Sequence, residues 1–84
     1  GREGPMNRFS AILFRSSGYS LWAALHLKTA GIERHLIPVP RSVSAECGYC
    51  IRILTGDAQR AHKVLANAGV EFINIVELEE RAFA

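Results

Sequence analysis

The sequence predicts an α+β domain in which a strand–helix–strand unit occurs twice. Four short apolar runs of strand length alternate with two longer segments of helix-forming residues. There is also an internal repeat: the first helical segment ends T-A-G-I-E (29–33), the second ends N-A-G-V-E (67–71), and a strand follows each. Two such halves predict a β-α-β-β-α-β domain of the ferredoxin-like type, with a four-stranded antiparallel sheet and both helices on one face.

The first half opens with a predicted strand over Phe9–Phe14, which the turn-forming residues at 15–18 terminate. Ser17 is a suitable N-cap for a helix over Leu21–Ala30. Residues at i, i+3, i+4 and i+7 predict the buried face of this helix. They are Leu21, Ala24, Leu25 and Lys28, and Trp22 and Leu27 widen the apolar arc.

The second strand, predicted over Ile32–Ile37, follows Gly31, a typical residue just beyond a helix C-terminus. Pro38 is expected to end it, because proline lacks the N–H that a strand ladder requires.

The second half repeats this order. The third strand is predicted over Gly48–Leu54, the second helix over Ala58–Ala68, and the fourth strand over Val70–Leu78. Gly69 ends the second helix as Gly31 ends the first.

The chain of 84 residues is expected to hold one domain. Residues 1–5 are interpreted as a remnant of an expression vector, residues 6–78 as the domain, and residues 79–84 as a C-terminal tail. A core of this size is marginal, and small domains often gain stability from metals, disulfides or oligomer contacts. A homodimer is therefore one expectation.

Charge and hydropathy exclude several classes of function. The net charge of +2 is too small to indicate nucleic-acid binding, and no apolar run approaches the ~20 residues of a membrane span. The first residues lack a secretory signal, which predicts a cytoplasmic protein. In a reducing cytoplasm, a C-x-x-C pair is more often redox-active or metal-binding than a structural disulfide.

The segment with the most chemistry is residues 38–50, which reads P-V-P-R-S-V-S-A-E-C-G-Y-C and holds both cysteines of the chain. Its two prolines fix φ and remove two backbone donors, so the segment is predicted to be a defined loop. Cys47 is then a thiol presented from this loop, directly before Gly48.

The predicted topology brings this loop to the N-terminus of the first helix, because the first two strands are parallel and finish at the same end of the sheet. The expected neighbours of Cys47 are Arg15, Ser16, Ser17, Gly18, Arg41 and Asn67. A helix N-terminus and arginines stabilise a thiolate, so we expect a lowered pKa for the Cys47 thiol.

Three strings of the sequence resemble the selenium/sulfur carrier-like family of small bacterial proteins. They are A-G-I at 30–32, L-I-P-x-P-R at 36–41 and S-x-x-C-G at 44–48. The resemblance implies a carrier cysteine that holds sulfur or selenium as a persulfide-type adduct, with donor and acceptor proteins as partners and no other cofactor. Cys47 matches that position, whereas the pattern does not require Cys50. A carrier rather than an enzyme is expected, because no general-base constellation is evident.

Other residues of the predicted site have alternative interpretations. Arg41 either pairs with Glu46 and holds the loop, or attracts an anionic sulfur or selenium species. Ser44 is a turn residue or a binding group. Gly48 either supplies a φ that other residues avoid or lets a partner approach the backbone. Ser16 and Ser17 complete the predicted binding set.

Cys50 is predicted to lie on the sheet face away from the helices, together with Arg52 and Leu54, because strand residues alternate between faces. It is either a passive apolar residue or a resolving cysteine that attacks an adduct on Cys47. The uncovered face, with Leu54, Ile73 and Ile75, is an expected docking surface.

Two other classes of function stay open. Cys47 and Cys50 together could bind Cu(I) or zinc, since thiolates are soft ligands. A ligand-sensing or RNA-binding module is the other class, although the paired strand aromatics of RNA-binding domains are absent.

Overall fold

The computed structural model of the protein describes residues 8–40, 43 and 48–78. Four strands and two helices occur in the order predicted, with a 3₁₀ turn at Thr55–Asp57 before the second helix. The elements are β1 (Phe9–Leu13), α1 (Ser17–Thr29), β2 (His35–Pro38), β3 (Tyr49–Leu54), α2 (Ala58–Ala68) and β4 (Asn74–Glu77). The predicted α+β class is confirmed, and α2 has the bounds predicted for it.

The four strands form one antiparallel sheet in the order β2-β3-β1-β4, so β1 and β3 are central and β2 and β4 are edges. At the end of β1, Leu13 is opposite Cys50 of β3 and Asn74 of β4. At the end of β2, Pro38 is opposite Tyr49 of β3. The ends of β1 and β2 and the beginnings of β3 and β4 therefore share one end of the sheet.

Both helices pack on the same face of the sheet, over the main core. Residues of the strands, of both helices and of the segments that follow them form this core; they are Ile12, Phe14, Ala23, Leu27, Ile32, Ile51, Ile53, Ala61, Leu65 and Val70. The largest side chains here are fully buried, and this layer supplies most of the hydrophobic stabilisation.

The internal repeat of the sequence is also a repeat of structure. Gly31 and Gly69 both have left-handed backbone, with φ of 77° and 74°. Ile32 N–H donates to the Leu27 carbonyl at 3.0 Å, and Val70 N–H donates to the Leu65 carbonyl at 3.0 Å. Both helices thus end with the same capping arrangement, in which glycine provides the positive φ and an apolar residue follows it.

This capping explains why two predicted strands begin too early. β2 begins at His35 rather than Ile32, and β4 begins at Asn74 rather than Val70. The N–H groups of Ile32 and Val70 are used by the helix ends and are unavailable to the sheet. Pro38, expected to stop β2 from outside, is its last residue; an edge strand tolerates proline there.

The buried face of α1 differs from the prediction. Ser20, Ala23 and Leu27 are buried, whereas Leu21 is 59% and Leu25 62% exposed. Apolar residues surround almost the whole of α1, so their spacing could not identify which side faces the sheet. Ser20 is accommodated in the core because its hydroxyl donates to the Ser17 carbonyl at 2.7 Å.

α1 begins at Ser17, four residues before the predicted start at Leu21, and its N-cap is Ser16 rather than the predicted Ser17. None of the helices in the described part of the chain is long and apolar enough to span a membrane.

Candidate functional site

The loop between β2 and β3 is closed at its base by backbone hydrogen bonds. Val39 N–H donates to the Gly48 carbonyl at 3.0 Å, which extends the strand pairing by one step. Inside the loop, Val43 N–H donates to the Pro40 carbonyl at 3.0 Å and closes a turn. Three predicted site residues, Arg41, Ser44 and Cys47, lie outside the described residues, so their roles stay predictions.

The described members of the predicted site share one end of the sheet. Ser16 and Ser17 begin α1 directly after β1, and Gly48 directly precedes β3. The antiparallel pairing of Leu13 with Cys50 brings the end of β1 and the start of β3 together. The base of the loop and the N-terminus of α1 therefore lie at the same end, as the topology predicted.

The N-terminus of α1 retains its positive electrostatic character. Ser16 has an extended backbone and makes no side-chain capping bond, and no acidic residue occurs in the first turn. Ser16 and Ser17 are exposed, and the exposed Arg15 precedes them. The first-turn N–H groups carry the partial positive charge of the helix dipole, which favours an anion nearby.

Nothing in the backbone geometry at position 48 requires a glycine there. Positive φ in the described glycines is confined to Gly31 and Gly69. A Cβ added at Gly48 would have no atom within 4 Å. Of the two interpretations of Gly48, a positive φ is therefore not supported, and the place that an added Cβ would take is open space.

Cys50 lies on the face predicted for it but is fully buried there, with 0% exposure. It belongs to a second apolar cluster with Ala11, Leu13 and Leu78. Val39 and Val43 of the loop pack against this cluster. The face without helices is therefore covered in part by Val39 and Val43, and Cys50 belongs to the cluster against which these two residues pack.

The expected docking role of this face is corrected in one respect. Ile75 is opposite Ile12 of β1 and packs against the main core under the helices. Ile73 lies outside β4 and is 44% exposed. The larger exposed apolar side chains instead include Leu21, Trp22 and Leu25 of α1.

A shallow cleft of about 400 Å³ occurs beside the N-terminus of α1 and was not predicted from the sequence. It is lined by Arg15, Tyr19, Val70, Glu71 and Phe72. Phe72 is held by an edge contact with His62, at 5.3 Å between ring centroids. The sequence indicated this cleft only through the order of its elements. That order brings the segment after Gly69 and the turn after β1 to the same end of the sheet.

The family of this chain follows from a comparison with protein-family models. Residues 10–77 match the model described as "Putative Se/S carrier protein-like". The chain belongs to this family. No curated protein and no solved structure matches it. The family that the sequence resembled is thereby confirmed, by a match that covers nearly the whole domain.

The described part of this Se/S carrier-like protein has no preformed metal site. No group of three or more His, Cys, Asp or Glu residues among the described residues is arranged to hold an ion. The histidines have other neighbours. His35 lies 3.3 Å from a Glu33 carboxylate oxygen, His26 lies beside Trp22, and His62 contacts Phe72.

Proposed function

We propose that this protein carries sulfur or selenium covalently on Cys47 and delivers it to an acceptor protein. The observation that carries the proposal is the family match over residues 10–77, which spans the whole loop and its cysteine. Cys47 acts as the nucleophile, and no further cofactor takes part.

The environment at this end of the sheet supports the proposal. Cys47 is bonded to Gly48, whose carbonyl closes the base of the loop. The uncapped N-terminus of α1 and Arg15 supply positive potential at the same end. Such a potential favours a thiolate and a terminal persulfide anion over their protonated forms. Arg41 and Ser44 of the loop, with Ser16 and Ser17, are the proposed binding groups for the anionic adduct.

The chemistry is an exchange without net oxidation. The Cys47 thiolate attacks the terminal sulfur of a donor persulfide, R–S–SH. The donor S–S bond breaks, a new S–S bond forms on Cys47, and the donor leaves as the thiolate R–S⁻. For delivery, an acceptor thiolate attacks the same terminal sulfur, and Cys47 returns to its thiolate form. Selenium transfers in the same way from a thiol perselenide, R–S–SeH: the Cys47 thiolate attacks the selenium atom, the donor S–Se bond breaks, and the donor leaves as R–S⁻.

The burial of Cys50 favours its packing role over the resolving role. A resolving thiol must reach the adduct, and Cys50 is fully buried in a cluster against which loop residues Val39 and Val43 pack. We propose that Cys50 holds the loop on the sheet and that one thiol, Cys47, is sufficient for the carrier. The partners are donor and acceptor proteins of the reducing cytoplasm.

Intact mass spectrometry tests the proposal. Reduced wild type, Cys47→Ala and Cys50→Ala are incubated with a small-molecule persulfide donor, or with selenite and glutathione. We expect one added sulfur or selenium on the wild type and on Cys50→Ala, and none on Cys47→Ala.

The contrary outcomes are equally specific. An adduct that requires both cysteines would assign Cys50 a chemical role. No adduct on any form, together with stoichiometric Cu(I) or zinc uptake that both substitutions abolish, would replace the carrier by a metal-binding protein.

A further inference from the structure

The cleft beside the N-terminus of α1 combines opposite charges with aromatic side chains. Its volume of about 400 Å³ lies within the range of about 300–1,000 Å³ that is typical of sites for small ligands. Val70, which is buried, and the half-buried Tyr19 and Phe72 form the apolar part of its lining. Arg15 and Glu71 complete the lining, and both are exposed. The cleft therefore offers a ligand an apolar surface together with a cation and a carboxylate.

The two aromatic side chains of the cleft are each held by a second ring. Tyr19 stacks on Trp22, with 6.5 Å between ring centroids and 21° between planes. Phe72 makes its edge contact with His62 at 84° between planes. Side chains that are already ordered lose less rotamer freedom when a ligand binds. Tyr19 and Phe72 are therefore preorganised to contact an organic ligand.

The two charges of the cleft are not used in ion pairs within the described part of the chain. The ion pairs among the described residues involve neither Arg15 nor Glu71. The uncapped first turn of α1 follows Arg15 closely in the chain and adds N–H groups that favour an anion. A ligand carboxylate is therefore favoured near Arg15, and a ligand ammonium group near Glu71.

We propose that the cleft binds a small peptide thiol that carries both a free carboxylate and a free ammonium group. Arg15 pairs with the carboxylate, Glu71 pairs with the ammonium group, and the carbon skeleton packs against Tyr19 and Phe72. Charge complementarity selects this class of ligand. The Glu71 carboxylate disfavours inorganic anions such as sulfate, whereas a cation without a carboxylate would leave Arg15 unpaired.

The thiol of this ligand follows from the proposed function, on which this part of the inference rests. Cys50 of β3 and Asn74 of β4 are both opposite Leu13, so the beginnings of β3 and β4 lie about 10 Å apart. The cleft segment precedes β4, and the loop that contains Cys47 precedes β3. A bound peptide persulfide is then a donor of low molecular weight. The Cys47 thiolate attacks its terminal sulfur, the S–S bond breaks, and the peptide leaves as its thiolate.

Isothermal titration calorimetry on the full chain with Cys47→Ala measures binding apart from the chemistry. The probe is the dipeptide S-methylcysteinylglycine, which has both charges and no free thiol. On this background, Arg15→Gln and Glu71→Gln are each expected to weaken binding at least about fivefold, because each removes a charge-assisted hydrogen bond. Lys28→Gln and Glu33→Gln make the same charge changes near the C-terminus of α1 and should leave the affinity unchanged.

Blocked probes assign each ligand charge to its partner. N-acetylation of the dipeptide removes the ammonium charge, and amidation of its C-terminus removes the carboxylate. The acetylated probe should bind Glu71→Gln as tightly as the parent dipeptide does, because neither complex can form the ammonium pair. The amide should behave in the same way with Arg15→Gln.

Three results would overturn the inferred binding. They are no saturable binding of the dipeptide, either by calorimetry or in the emission of Trp22, unchanged affinity in both Arg15→Gln and Glu71→Gln, and equal affinity of the blocked and unblocked probes for the parent protein. Displacement of the dipeptide by sulfate at equal concentration would also overturn it, and would leave an anion site only.

The donor role is tested by the rate of mass gain on Cys47 in the chain with both cysteines. With the persulfide of cysteinylglycine, Glu71→Gln is expected to slow loading at least about fivefold relative to the wild type. With the persulfide of 2-mercaptoethanol, which lacks both charges, the two rates should be equal. Equal rates with both donors would overturn the donor role. No mass gain from either donor would contradict the proposed function, and with it the donor role, while the calorimetry decides binding in the cleft independently.

Discussion

The two faces of the sheet are covered in different ways. One face lies under α1 and α2, over a core of large side chains such as Ile12, Ile51 and Leu65 that are fully buried. The other has a smaller cluster around Cys50, covered in part by Val39 and Val43 of the β2–β3 loop. Helices cover the first face with regular structure, whereas the second is covered in part by residues of the loop that contains Cys47.

This difference separates stability from function. The core buried under the helices supplies no group to the proposed transfer, so changes there act on the fold as a whole. On the other face, Val39 and Val43, which pack against the cluster of Cys50, belong to the same loop as Cys47, so changes in that cluster are expected to affect the proposed site as well. Stability measurements on matched pairs of substitutions can test both statements.

The largest effect is expected for Leu27→Ala on α1. Leu27 is fully buried in the main core, so its truncation should lower the free energy of unfolding by about 2–5 kcal/mol. Urea denaturation measures this. The matched control is Leu25→Ala on the same helix, 62% exposed, for which a change within about 0.5 kcal/mol is expected. A larger loss of stability for Leu25→Ala than for Leu27→Ala would contradict the observed buried face of α1 and favour the face predicted from residue spacing.

An intermediate effect is expected at Cys50. Cys50→Ser introduces a hydroxyl into the apolar cluster, at a cost of about 1–3 kcal/mol if it finds no new partner. Cys50→Ala retains the apolar character and should be less destabilising than Cys50→Ser. Thermal and urea unfolding of the two variants give the comparison. Equal stability of serine and alanine at this position would mean that the loop does not keep the cluster dry.

The smallest effect is expected at Gly48. With ordinary φ and open space around it, Gly48→Ala should change the free energy of unfolding by no more than about 0.5 kcal/mol. Gly69→Ala is the control, because φ of 74° at that position should cost about 1–2 kcal/mol. Denaturant unfolding distinguishes them. A large loss at Gly48 would show a structural requirement that the backbone geometry does not indicate.

The two helices show how far sequence patterns reach. In α2, whose bounds were predicted, polar residues occupy one side of the helix, and Ala61 and Leu65 are buried on the other. In α1, apolar residues occupy nearly every side, and Leu21 and Leu25 fit the helical period as well as Ala23 and Leu27 do. The period predicts a helix in both cases, but it selects a buried face only when the opposite face is polar.

The candidate site divides in the same way. The strings around Cys47 were sufficient to indicate the family, and the order of elements was sufficient to bring Gly48 and Ser16 to one end of the sheet. The cleft beside Tyr19 and the packing of Val43 against the cluster of Cys50 were not predicted. Both depend on tertiary contacts between separate segments, which no local pattern encodes.

The sequence by itself determined the class of fold, the repeated helix ends at Gly31 and Gly69, and the family of the protein. These follow from local conformational preference and from short strings. Only the tertiary structure decided that Leu25 faces outward, that Cys50 is fully buried in the cluster against which Val39 and Val43 pack, and that the space beside Gly48 is open. The physical reason is that the burial of a residue depends on which surfaces of the protein meet. The sheet contacts only one side of a helix, so an apolar residue on the opposite side stays exposed to solvent even when its neighbours in sequence are apolar.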